Sequence, residues 1–221
     1  MRLAVAALIS VLACSAHCEQ IPTIAITFDH YRTTYDVAFP IMKKYGLVGT
    51  FYVDPQFIDA KDGPTSAELR EMQNAGWEIG VYSGFPLDRY LAQGDDVARK
   101  FIAGIYFKML TKGFAVKSFA PSGRLWSAKL AGMASPFFDT VRYGGTRPSL
   151  SAADTQDTLR SAVSAMVAQE RPQPIVVHKV SDDSDPNFSV GVAAFESLCA
   201  ALASERDGGR IKIETFSKWV R

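Results

Sequence analysis

Thr23-Ile-Ala-Ile-Thr-Phe28 runs directly into Asp29-His30. A run of apolar and β-branched residues reads as a buried strand, and two ionisable residues at its end mark a terminus where chemistry can sit. Similar runs follow at 48–53 (VGTFYV), 77–82 (WEIGVY), 116–120, 138–143, 174–178 (PIVVH) and 210–213. Their apolar continuity predicts strands covered on both faces. Amphipathic stretches at 35–45, 66–75, 88–111, 127–134, 154–169 and 192–206 predict helices between them. Thr65 or Ser66 caps the second helix and Gly76 closes it, while Gly46 sits just past the first. The alternation predicts βα units around a parallel sheet.

Composition sets the frame for this pattern. The chain has 221 residues, a net charge of +1 and 48% apolar residues, which suits one globular domain with a full core, taken as residues 20–221. Charge is spread without a basic run, so the electrostatic footprint of a nucleic-acid binder is missing. Met1-Arg2 and the apolar run 3–13 (LAVAALISVLA) have the build of a secretory leader, too short to span a bilayer. Cleavage after Ala16 is expected, leaving an exported protein in the periplasm or outside the cell. Val11-Leu-Ala-Cys14 offers a looser second reading, a lipoprotein box that would anchor the chain to a membrane through Cys14. Cys18 and Cys199 can pair only if cleavage spares Cys18.

In a βα barrel, residues just beyond the C-terminal ends of the strands converge on one rim. Here those ends read Asp29-His30, Asp54, Tyr82-Ser83-Gly84, Pro121-Ser122-Gly123-Arg124, Tyr143-Gly144-Gly145 and His178-Lys179. A lone histidine is usually structural. Two on one rim beside a carboxylate favour function. Asp29 taken alone could equally cap the following turn.

With these residues in hand, the chain resembles the polysaccharide deacetylase family, the NodB-homology or carbohydrate esterase family 4 fold. The resemblance rests on Ala25-Ile-Thr-Phe-Asp29, Phe39-Pro-Ile-Met-Lys-Lys-Tyr-Gly46, Gly49-Thr-Phe-Tyr-Val53, the segment 69–80 ending Gly76-Trp-Glu-Ile-Gly80, Phe119-Ala-Pro-Ser-Gly-Arg124 and Ile175-Val-Val-His178. It implies a distorted (β/α)7 barrel and a hydrolase acting on acyl groups of a carbohydrate polymer or oligosaccharide. It also implies Asp29 as the base on water and His178 as the acid. The family's second aspartate and its two metal-binding histidines have no match: His30 and Tyr82 stand near those positions, and only Ser83 keeps the histidine motif's pattern. A catalytic zinc takes three protein ligands, so it fits this chain only through a rebuilt site using His30 with Asp29 or Asp54. Ala120 replaces the family's third-motif arginine, leaving Arg124 or Arg142 to substitute for it.

Three readings follow. The first is a deacetylase-type hydrolase using Asp29 and His178, with Tyr82, Ser83, Arg124 and Tyr143 near substrate. The second is a metal-free C–N hydrolase acting on a small amide or ring. The third is an inactive carbohydrate-binding or scaffolding protein using aromatics such as Tyr82, Phe85, Trp126 and Tyr143. Retention of Asp29 and His178 places the hydrolase first. A Ser83 nucleophile is disfavoured, since no Gly-x-Ser-x-Gly elbow surrounds it. The acidic stretch 181–186 (SDDSDP) lacks the glycine and final glutamate of an EF-hand loop and reads as a solvated turn.

Overall fold

The computed structural model describes residues 21–84, 86–122, 125–142, 149–169, 172–183 and 185–221. The leader, Cys14, Cys18, Phe85, Arg124 and Tyr143 lie outside them. Strands β1 (Thr23–Asp29), β2 (Thr50–Val53), β3 (Glu78–Tyr82), β4 (Ser118–Ala120), β5 (Thr140–Val141) and β6 (Ile175–Val177) form one parallel sheet in the order β5-β4-β3-β2-β1-β6. A further parallel pair, β7 (Lys179–Val180) with β8 (Ser189–Val190), stands apart from it. β9 (Lys212–Glu214) pairs with the start of β1, and Ser149 bridges to Val176 beyond β5. The curled sheet and its surrounding helices make the expected distorted (β/α)7 barrel.

Helices α1 (Phe39–Lys44), α2 (Ser66–Asn74), α3 (Leu87–Ala92), α4 (Asp95–Thr111), α5 (Ala128–Ala134), α6 (Gln156–Val167), α7 (Val192–Asp207) and α8 (Phe216–Trp219) fill the connections. A π-helical turn, Thr34–Ala38, leads into α1. Thr65 caps α2 in a reciprocal capping box with Glu68, and Gly46 and Gly76 end α1 and α2 at positive φ, as expected. The single helix expected over 88–111 is two helices, because Gly94 breaks it at φ +117°. The helix α8 had no counterpart in the sequence reading.

Side chains of paired residues on adjacent strands point to the same face. Ile24, Ile26, Phe28, Phe51, Val53, Ile79, Val81, Phe119, Ile175 and Val177 thus form one layer, buried under the helices in the main core. The alternate residues face the barrel interior: Thr27 and Asp29, Thr50 and Tyr52, Glu78 and Tyr82, Ser118 and Ala120. Tyr52, Tyr82, Ala120 and Phe216 make a second, separate cluster there. At the floor, Glu78 accepts hydrogen bonds from Ser118 Oγ at 2.6 Å and Ser217 N at 2.9 Å, while Phe216 N donates to Thr50 Oγ1 at 2.8 Å. The first turn of α8 is thereby tied under three strands.

Gly80 is what lets Tyr52 into this interior. A Cβ there would lie 2.6 Å from Tyr52 ring carbons and 2.7 Å from Ser118 Oγ. Gly80→Ala is therefore expected to cost about 1–3 kcal/mol of stability through overpacking, read as a lower urea midpoint at unchanged m-value.

Candidate active site

The rim is built by strand ends that continue the inward alternation. Asp29 follows Thr27 on β1, and His178 lies two residues beyond Val176, which pairs with Thr27. Arg142 lies two residues beyond Thr140 on β5 and reaches across the interior to β1. Its Nη2 donates to Asp29 Oδ2 at 2.7 Å, and Nη1 lies 2.6 Å from Oδ1 without an aligned hydrogen bond. Nη1 also donates to Thr27 Oγ1 at 3.2 Å, and the guanidinium carbon stands 4.7 Å from the Tyr52 ring centre. Asp29 is 4% exposed and Arg142 6%, so this is a buried ion pair with an aromatic floor.

His178 sits above the pair. Its Nε2 is 3.6 Å from Asp29 Oδ2, a charge contact too long for a hydrogen bond, and its Nδ1 is buried with no hydrogen-bond partner among the described residues. Burial lowers the imidazole pKa below its usual value, against the opposing pull of Asp29, and Arg142 pushes the same way as burial. The His178 ring meets Phe188 edge-on at 5.2 Å.

His30 takes the left-handed conformation at φ 32°, uncommon for a side chain with a Cβ, and its amide donates to Tyr52 O at 2.9 Å. This turn packs the imidazole between Tyr31, 4.2 Å away, and Tyr82, 4.8 Å away. Burial lowers its pKa, Asp29 opposes that, and His178 adds to it. Tyr82 is buried, which raises its phenol pKa well above 10 and keeps it neutral.

The structure brings some of the residues singled out in the sequence together and places others elsewhere. Asp29, His178, His30 and Tyr82 do come together. Ser83 is 1% exposed, and its hydroxyl donates to Gly84 O at 3.2 Å and accepts from Ser122 N at 2.7 Å, tying the end of β3 to the end of β4. Of the two arginines considered, Arg142 is the one seen on Asp29. Asp54 is buried beside the Gly84 backbone, with Oδ1 accepting from Gln56 N at 2.9 Å, and burial raises its pKa. The acidic stretch is an exposed turn leading into α7, and its aspartates are hydrogen-bonded. Asp183 pairs with Lys179 and accepts from Ser189 Oγ at 2.6 Å, Asp182 Oδ1 accepts from Val192 N at 2.9 Å at the start of α7, and Asp185 Oδ1 accepts from the amides of Asn187 and Phe188. Phe188 was missed, since nothing in the sequence marks it.

A divalent metal does not fit this donor set. Among the described residues no three His, Cys, Asp or Glu side chains converge as ligands. The Asp29 carboxylate already faces the Arg142 guanidinium, which would repel an added cation.

Residues 16–100 match the family model for polysaccharide deacetylase. Solved structures share the fold. Peptidoglycan deacetylase PdaC from Bacillus subtilis matches at 17% identity and a TM-score of 0.60, over 89% of each chain. A family 4 carbohydrate esterase from Streptomyces lividans, solved with acetate, matches at 15% identity and 0.59, over 86% of this chain and 91% of that one. A family 4 pseudoenzyme from Bacillus anthracis matches at 12% identity and 0.58, over 92% of this chain and 66% of that one. No curated protein sequence matches significantly. The resemblance read from the motifs is thus borne out at the level of family model and fold.

Two predictions follow from the geometry. Asp29→Asn leaves the Arg142 charge buried and unpaired, so it should cost about 3–5 kcal/mol of stability by chemical denaturation. For His30 and His178, the folded-state pKa lies below the unfolded value of about 6.5. The unfolded chain takes up those protons first on acidification, so their stabilisation is complete above that pH and is lost as the pH falls through the folded values. Melting temperature should therefore drop between pH 7.5 and 5, and His178→Gln should make the drop shallower.

Proposed function

We propose, from a deacetylase fold and a deacetylase-like N-terminal sequence, that this chain is an exported hydrolase acting on N- or O-acyl groups of a carbohydrate without a bound metal. The observation that carries the reading is the His178–Asp29 contact, 3.6 Å long and anchored beneath by Arg142. His178 is 21% exposed at its side chain and Asp29 only 5%, so the imidazole is the group a substrate can reach. Its lowered pKa leaves it neutral near pH 7 and able to take a proton from water as the hydroxide attacks the acyl carbon. The resulting imidazolium is stabilised by the Asp29 carboxylate and returns the proton to the departing nitrogen or oxygen. The products are a carboxylic acid and a free amine or hydroxyl. Relative to the roles implied by the family, His178 carries both proton transfers and Asp29 acts as its counterion.

The loss of Lewis-acid stabilisation, several kcal/mol in general, makes slow turnover the expectation. Acetate release from acetylated chitooligosaccharide, peptidoglycan and acetylxylan should survive a chelator and vanish in His178→Ala. His178→Ala is the sounder control, because Asp29→Asn also unbalances the buried pair.

One observation favours a second reading, a carbohydrate-binding protein without turnover: the described residues hold no metal-ligand set. Sugar binding with acetate release no faster than His178→Ala on every substrate selects it. Export rests on the leader-like residues 1–16, and a mature N-terminus at residue 17 is the expected result of mass spectrometry on the secreted protein.

A further inference from the structure

Phe188 is 43% exposed, yet its position is fixed from several sides. Its carbonyl accepts from Lys179 N at 3.0 Å, its amide donates to Asp185 Oδ1 at 3.3 Å, and the next residue, Ser189, holds Asp183. The β7–β8 pairing closes the loop at its base. An exposed phenyl ring on a loop this internally bonded loses little freedom when a ligand covers it. It stands edge-on to the reachable imidazole, with one face turned away from the His178 ring at an interplanar angle of 75°. Asp185, which bonds the Phe188 amide, acts electrostatically on both His178 and Tyr31, so the loop borders the same rim.

An apolar ring left in water beside a hydrolytic pair is suited to the apolar C–H face of a sugar ring. Its contact area and rigidity are those of an aromatic recognition anchor, and the hydrogen-bonded aspartates explain why a short acidic loop is needed to hold it. We infer that Phe188 is the stacking platform for the pyranose ring of a carbohydrate chain next to the scissile acyl group. The platform sets the preference for sugar-borne over small acyl substrates. This rests on the hydrolase reading above.

The test uses the full-length exported protein with Phe188→Ala, Phe188→Leu and Phe188→Trp, assayed on acetylated chitooligosaccharide and on an aryl acetate. Both Ala and Leu should raise KM for the oligosaccharide about tenfold, equivalent to about 1.4 kcal/mol, with kcat nearly unchanged. Trp should retain the parental KM, and in Ala and Leu kcat/KM should fall about tenfold further for the oligosaccharide than for the aryl acetate. Leu keeps apolar cover over His178 without a flat ring, so Leu behaving like the parent would overturn the platform. Equal losses on both substrates would overturn it too, by showing general damage to the site. If the parent protein binds oligosaccharide without turning it over, calorimetric affinity replaces KM with the same expected tenfold loss. If the parent neither binds nor cleaves any sugar, the hydrolase reading fails and the platform with it; parental activity unchanged in Phe188→Ala overturns the platform alone.

Discussion

A guanidinium placed inside a barrel, against one carboxylate and over one aromatic ring, organises this molecule. Arg142 comes from β5 and Asp29 from β1, which lie at separated positions in the sheet, so their ion pair spans the interior where strand pairing does not. Removing either charge alone leaves the other desolvated, and this makes the pair more costly to break than its net contribution to stability would indicate. The rim is arranged around it: His178 stands over Asp29, and Tyr52 underlies the guanidinium through the space opened by Gly80.

The same pair bears on the third motif, where Ala120 stands in place of the arginine that the resemblance implies and Arg142 is the guanidinium found on Asp29. A metal supplies positive charge from outside the chain; here a positive charge is built in, already satisfied and already buried. The turn at His30 stacks its imidazole between Tyr31 and Tyr82 above that floor. The group at the rim that a ligand can reach is the His178 imidazole, 21% exposed at its side chain.

Much of the fold was legible because its signals are local. Apolar runs such as 23–28 and 48–53 gave the strands, and Thr65 or Ser66 and the glycines 46 and 76 marked helix ends through backbone chemistry that does not depend on distant residues. The break at Gly94 was hidden by amphipathic residues on both sides, and α8 is four residues long and held by contacts to Thr50 and Glu78. At the site, Asp29, His30, Tyr82 and His178 could be found because each directly follows or ends a strand. Ser83 shares that placement, but its hydroxyl is spent on Ser122, and such a long-range partner leaves no local mark. The choice of Arg142 for Asp29, and the placing of Phe188 beside His178, also depend on pairing across the barrel, which a single sequence does not encode locally.

The tie between α8 and the barrel floor bears on the order in which the chain can acquire its structure. Thr50 and Glu78 appear early during synthesis, but the amides that satisfy them belong to Phe216 and Ser217, 166 and 139 residues later. Until that segment emerges, the polar floor stays open to water and the interior tyrosines lack their cover. Closure is therefore a late, non-local event, which slows folding and prolongs the interval in which the nascent chain is still threadable. A barrel whose floor is satisfied by α8 keeps its interior polar groups in contact with water until that segment docks.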